Sequence, residues 1–304
     1  MALSAGSSAL RGAALVVLGG VVLSLGIFTI REARTSEAVQ YIFWRGVGFS
    51  LAMLAVATLS GRLNPARQLA QLSWFGIAGA ASLATSAAAF ITAVRVSTVA
   101  ETFLILSLAP LAAAALAWPL LGERAGPWTI AAILLSVAGV YVMIGGQLEG
   151  GNWLGRTLGA VACVTFAGYM LSTRGARRDE LDAMLLAYGL VSIVGAAVAL
   201  QVRGTPLLPP KPGEIVYAMA HGAIVLSAGL WLFGRGSRHL SAVALTMLAQ
   251  TESLAAPVIA FLFYDEVPSR GVLLGGAAVL AALVMQSLDG SPEPARDRTA
   301  ERRP

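Results

Sequence analysis

Residues 96–143 read VSTVAETFLILSLAPLAAAALAWPLLGERAGPWTIAAILLSVAGVYVM, and residues 240–285 read LSAVALTMLAQTESLAAPVIAFLFYDEVPSRGVLLGGAAVLAALVM. Each stretch is an apolar span with a polar mid-section, a short acidic turn, and a second apolar span. The turns are Gly122-Glu123-Arg124 and Asp265-Glu266-Val267. Aligning Glu123 with Glu266 sets Leu111, Ala112, Ala113 and Ala117 against Leu254, Ala255, Ala256 and Ala260. Alanine identities carry little weight. The shared layout carries more: it marks an internal repeat, and a repeat in an apolar chain points towards a transporter.

Composition supports a membrane setting. The 304 residues are 57% hydrophobic and 12% charged, with a mean hydropathy of +0.76. A soluble domain carries about 25% charged residues, and a chain of this length has no interior large enough to hide so much apolar surface. The net charge of +5 is no nucleic-acid signature, because the basic residues are scattered between apolar runs with no basic, aromatic-interleaved stripe. Lys211 is the only lysine beside the arginines. The single cysteine, Cys163, excludes an internal disulfide and reads as packing inside an apolar run. No HExxH, Walker, CxxC or GxSxG pattern occurs, so nothing points to a hydrolase or an ATP-driven pump. No cofactor, metal or nucleic-acid partner is expected.

A helix crossing the hydrocarbon needs about 20 mostly apolar residues. Ten stretches qualify: 12–30, 39–60, 73–94, 98–121, 127–146, 154–173, 181–202, 214–234, 242–264 and 271–288. The segment after Arg11 fits better as the first of these spans than as a signal peptide. With the N-terminus inside, the cytoplasmic segments hold thirteen basic residues and the outer segments seven, which favours both termini in the cytoplasm. Five crossings per half is an odd number, so the second half enters upside down relative to the first. The expected fold is therefore an all-α integral membrane protein of ten transmembrane helices, in two inverted five-helix repeats around a central cavity. The repeats run over 10–146 and 153–288. Residues 289–304, DGSPEPARDRTAERRP after Leu288, read as a disordered cytoplasmic tail.

These features resemble the drug/metabolite transporter superfamily, in its ten-helix branch with two EamA-type repeats. The stretch VSTVAETFLILSLAPLAAAALAWPLLGERAGPWTIAAILLSVAGV is similar to the first-repeat signature, with an Ala-Pro in the fourth helix and a Gly-Glu-Arg turn. TESLAAPVIAFLFYDEVPSRGVLLGG resembles its second-repeat counterpart. Arg45, in YIFWRG, sits where many members carry an arginine. The sequence departs from the pattern at Glu252, which is followed by Ser253 rather than proline, and at Glu101, where a small polar or amide residue is usual. The resemblance implies a cavity lined by helices one to four and six to nine. It also implies that the fifth and tenth helices pack at the interface of the halves or with a second copy, as in a homodimer. Amino acids recur among the substrates of bacterial members.

Charges inside a bilayer are expensive, at about 2.5–3.5 kcal/mol each at a helix centre. Glu252 is the clearest case, near the middle of the ninth span, with Ala249, Ala255 and Ala256 on its face and Gln250 and Thr251 beside it. It is either a proton-accepting or cation-binding carboxylate at the transport site, or a carboxylate held by hydroxyls or a structural arginine. The Arg45 guanidinium suits a carboxylate or phosphate. Glu101, towards the same side, is close enough in depth to pair with it as a lock, a gate or a static tie. Pro110 and Pro257 interrupt helices four and nine, either to expose carbonyls at the cavity or to set a static bend. Ser24, Ser86, Thr165, Tyr169, His221 and Ser227 can line a wet cavity, although intramembrane hydroxyls more often bond their own helix. His221 has no evident partner in sequence. Trp74, Trp128, Trp153 and Trp231 read as interfacial anchors, and Trp44, beside Arg45, as an anchor or a cavity wall. Glu123 and Glu266 read as helix caps or arginine partners.

The expected function is secondary transport, exporting small polar metabolites and amino acids above all, by alternating access as a uniporter or coupled to protons. A lipophilic-cation exporter is the alternative within transport. A non-transporting scaffold or integral enzyme is the alternative outside it. The expected location is the inner (plasma) membrane, with the bilayer and a small-molecule substrate as partners.

Overall fold

The computed structural model describes residues 2–59, 65–121, 126–145, 153–177, 180–237, 248 and 251–286. Among these there are helices and no strands. Seven helical stretches are long and apolar enough to cross a membrane: Leu10–Glu32, Ala38–Thr58, Trp74–Val96, Val99–Ala117, Trp153–Thr173, Leu181–Arg203 and Glu214–Gly236. Three shorter apolar helices, Pro127–Val142, Thr251–Tyr264 and Arg270–Met285, overlap the remaining expected spans. Glu123, Gln250 and the tail 289–304 lie outside the described residues.

Several expected spans are broken, each next to a residue that loosens the helical ladder. The first is split into α1 (Ala2–Ser24) and α2 (Gly26–Glu32). At the junction the Ser24 hydroxyl donates to the Val21 carbonyl at 2.7 Å, a back-bond of the kind that bends helices. After α3 (Ala38–Leu59), the short α4 (Pro65–Ala70) and α5 (Trp74–Val96), the fourth span divides into α6 (Val99–Leu106) and α7 (Ala109–Leu121). Pro110 has no N–H to give the turn before it, and the Ser107 hydroxyl turns back to the Leu104 carbonyl at 2.7 Å. Then follow α8 (Pro127–Gly145), α9 (Trp153–Gly175) and α10 (Leu181–Arg203). The eighth span runs as α11 (Glu214–Ala220), a π-helical turn (His221–Leu226) and α12 (Ser227–Ser237). The last two helices are α13 (Thr251–Tyr264), with Pro257 inside it, and α14 (Arg270–Gln286).

Long-range contacts decide where the cavity falls. α5 packs along α9, α3 along α10, and α1 along both α12 and α13. α8 and α14 pack on each other through a cluster that includes Ala132, Val279 and Leu283, which Leu111 of α7 joins. Small residues set the closest approaches. A side chain on Gly222 would collide with the Arg45 carbonyl, and one on Gly48 with the Met219 carbonyl. Glycine at both positions therefore lets α11 and the π turn lie directly against α3. A rare π turn at such a contact is a recurrent mark of a functional site.

Candidate functional site

A cavity of about 410 Å³ lies between the helices. Its lining comes from α1, α2, α3, α5, α6, α7, α9, α10, the π turn, α12 and α13. Among the described residues, none of α8 or α14 lines it. Its polar groups include Arg45, Ser86, Tyr169, His221 and Glu252. Phe90, Phe103, Phe166 and Phe233 supply aromatic walls.

Arg45 comes from the middle of α3 and is buried, 7% exposed. Its Nε has no hydrogen-bond partner. Glu252 comes from α13, which α1 approaches closely because Gly20 has no side chain to strike the Thr251 Cβ and Glu252 backbone. Both line the cavity, yet no ion pair joins them among the described residues. A buried guanidinium and a carboxylate thus face one cavity with hydrogen-bonding capacity to spare. Buried charges are ordinarily paired, so this pair of groups is suited to a ligand carrying both signs.

His221 has partners that its sequence neighbourhood does not suggest. Its Nδ1 lies 2.7 Å from the Tyr41 hydroxyl. Tyr41 donates to Thr29 Oγ1 at 2.8 Å, and Thr29 donates to the Gly26 carbonyl at 2.7 Å. Gly26 is held against the imidazole, with the position of a Cβ only 2.8 Å from Nε2.

The structure places other sequence candidates away from the cavity. Glu101 does not meet Arg45. It is buried in an ion pair with Arg156 at 2.6 Å and also accepts from the Ser97 hydroxyl at 2.7 Å. Trp44 is not a wall: its indole N–H donates to the Leu207 carbonyl at 3.2 Å and its ring meets Phe43 edge-on. Ser24 and Thr165 bond carbonyls of their own helices, and Ser227 donates to Gly222 across the π turn at 3.0 Å. None of the three lines the cavity. Ser86 does, but its hydroxyl is committed to the Ala162 carbonyl at 2.8 Å, tying α5 to α9. Pro110 lines the cavity and Pro257 does not.

Comparison with known proteins agrees with this architecture. Residues 10–145 match the sequence model of the EamA-like transporter family. Over those residues the chain is similar to that family. An uncharacterized transporter of Archaeoglobus fulgidus is 26% identical over 274 residues, covering 90% of this chain and 95% of the relative. A solved crystal structure superposes with a TM-score of 0.61 at 17% identity, over 93% of this chain and 97% of that one, which is a likeness of fold.

The cavity is flanked by polar ties between segments remote in sequence. Towards the end where α2 stops, Arg31 pairs with Glu266. There Glu214 accepts from the Thr35 and Ser36 amides at 3.0 and 2.8 Å, and Arg95 donates to the Ser36 carbonyl at 2.5 Å while lying 5.0 Å over the Tyr41 ring. Towards the opposite end, the Ser73 hydroxyl donates to Glu180 at 2.7 Å and Arg177 to the Gln71 carbonyl at 3.2 Å. Sequence reasoning missed Tyr41, Arg156 and the phenylalanine walls. The aromatics carry no local signal that separates a cavity wall from a core. The partner of Glu101 was open to reasoning only as a search for a second buried arginine at matching depth.

Proposed function

We propose that this chain is a transporter of the EamA-like kind and works as a secondary exporter of small zwitterionic metabolites, amino acids above all. In this reading ten membrane crossings form two inverted five-helix repeats, residues 10–146 and 153–288, that rock about the cavity as a uniporter or with proton coupling. The protein lies in the inner membrane with both termini cytoplasmic. The observation that carries the substrate class is the unpaired placement of Arg45 and Glu252 on one cavity. A guanidinium binds a carboxylate as a fork, and a carboxylate binds an ammonium. An amino acid presents both.

The aromatic walls give a lipophilic cation a favourable surface, so a cationic-drug exporter is the second reading. Arg45 separates the two, because a buried guanidinium repels a lone cation and attracts a zwitterion. The test is growth under toxic amino acid analogues and under cationic dyes, with wild type beside Glu252→Gln. Resistance to analogues that disappears in the variant is expected. Resistance to dyes alone moves the assignment to drug export.

A further inference from the structure

The direction of the hydrogen-bond chain behind His221 is determined by its last member. The Gly26 carbonyl can only accept, so the Thr29 hydroxyl spends its proton there. Thr29 Oγ1 must then accept from Tyr41. The Tyr41 hydroxyl, having spent its own proton, can only accept from His221 Nδ1. The neutral ring therefore carries its proton on Nδ1 and keeps a lone pair on Nε2, the nitrogen that lies beside Gly26; His221 and Gly26 both line the cavity. A bond at one ring nitrogen sets the role of the other.

We propose that His221 Nε2 and the Glu252 carboxylate together hold the ammonium group of the substrate, while Arg45 takes its carboxylate and the phenylalanine-walled remainder of the cavity takes an apolar side chain. This rests on the exporter reading above and goes further in two respects. It makes His221 a specificity residue that requires a free amine, and it restricts the side chain. Two acceptors and one cationic donor complement a group with several N–H donors joined to a carboxylate. The walls of Phe90, Phe103, Phe166 and Phe233 offer a charged side chain no counter-ion. Tyr41 acts as a positioning residue through the tautomer.

The test uses the full chain in lipid nanodiscs and proteoliposomes. Histidine occurs only twice, at His221 and His239, so isotope-labelled imidazole signals are assigned by a His221→Gln control. We expect the Nδ1–H tautomer at His221. Leucine and isoamylammonium should both shift its Nε2 signal, and N-acetyl-leucine should not. Leucine flux should be inhibited by isoamylammonium, and by aspartate or N-acetyl-leucine only at concentrations at least about tenfold higher, the worth of one charge-assisted hydrogen bond. Tyr41→Phe should release the tautomer and raise the KM for leucine about tenfold with little change in maximal flux, whereas a merely structural role would lower flux for every substrate alike. An Nε2–H tautomer, or an Nε2 signal unmoved while leucine is transported, overturns the proposal. Equal inhibition by aspartate overturns its side-chain part. A shift with isoamylammonium but no amino acid flux removes the exporter reading and leaves His221 as an amine acceptor. Neither shift nor flux removes both.

Discussion

Arg31 and Glu266 stand 235 residues apart in the chain and are joined by an ion pair. The pair ties α2 to the segment that leaves α13. The second Glu266 oxygen accepts the Val99 amide at 2.9 Å, one of the unsatisfied donors at the start of α6. Asp265, just beyond the end of α13, takes the left-handed backbone conformation at φ 53°. One carboxylate thus holds three helices together at one end of the cavity.

Loss of this tie should open that end. The Arg31 and Glu266 side chains are 25% and 20% exposed, so Glu266→Gln should shift the open population by about 1 kcal/mol, roughly fivefold. In a Cys163→Ala background, a cysteine at Ile30, which lines the cavity at this end, should react about fivefold faster with an impermeant maleimide. Unchanged labelling would show that the tie does not govern access.

The buried pair of Glu101 and Arg156 should behave differently. Their side chains are 6% and 5% exposed, and removing one partner leaves the other charge buried, at a cost of about 3–5 kcal/mol. Glu101→Gln should lower the detergent melting temperature sharply. Replacing both, with Glu101→Leu and Arg156→Met, should recover much of the loss, and recovery of stability without recovery of flux would assign the pair a transport role.

Arg45→Lys keeps the charge but loses the planar fork. The expected result is a rise of about tenfold in KM for an amino acid, the worth of one charge-assisted hydrogen bond. Proteoliposome uptake measures it, and an unchanged KM rules out forked recognition.

Trp44 is adjacent to Arg45 in sequence but faces Leu207. Trp44→Phe should leave the KM within about twofold and cost about 1 kcal/mol of stability for one lost hydrogen bond. A large KM effect would place the indole at the substrate after all.

Gly222→Ala should be poorly tolerated, because the added carbon meets the backbone carbonyl of Arg45 rather than a mobile side chain. Overpacking of this kind costs about 1–3 kcal/mol, and it should reduce both the melting temperature and substrate affinity, since the same contact seats Arg45 and His221.

The apolar spans were legible in sequence because solvent preference is written residue by residue: a run such as 181–202 declares its need for lipid without reference to any other part of the chain. Arg45 and Glu252 were legible for a related reason, since an isolated charge in such a run stands out from its neighbours. The breaks were only partly legible. Pro110 announces an interruption, whereas the π turn at His221–Leu226 has no composition of its own and forms where the backbones of α3 and the eighth span meet at glycines.

By itself, then, the sequence determined that this chain is a helical membrane protein with a few charges embedded in its apolar spans. Tertiary structure alone decided which groups meet. Glu101 goes to Arg156 rather than Arg45, Arg31 goes to Glu266, and Tyr41 goes to His221. The physical reason is range: hydrophobic burial is read from local composition, but ion pairs and hydrogen bonds require contact within a few ångströms, and only the packed helices bring such distant residues that close.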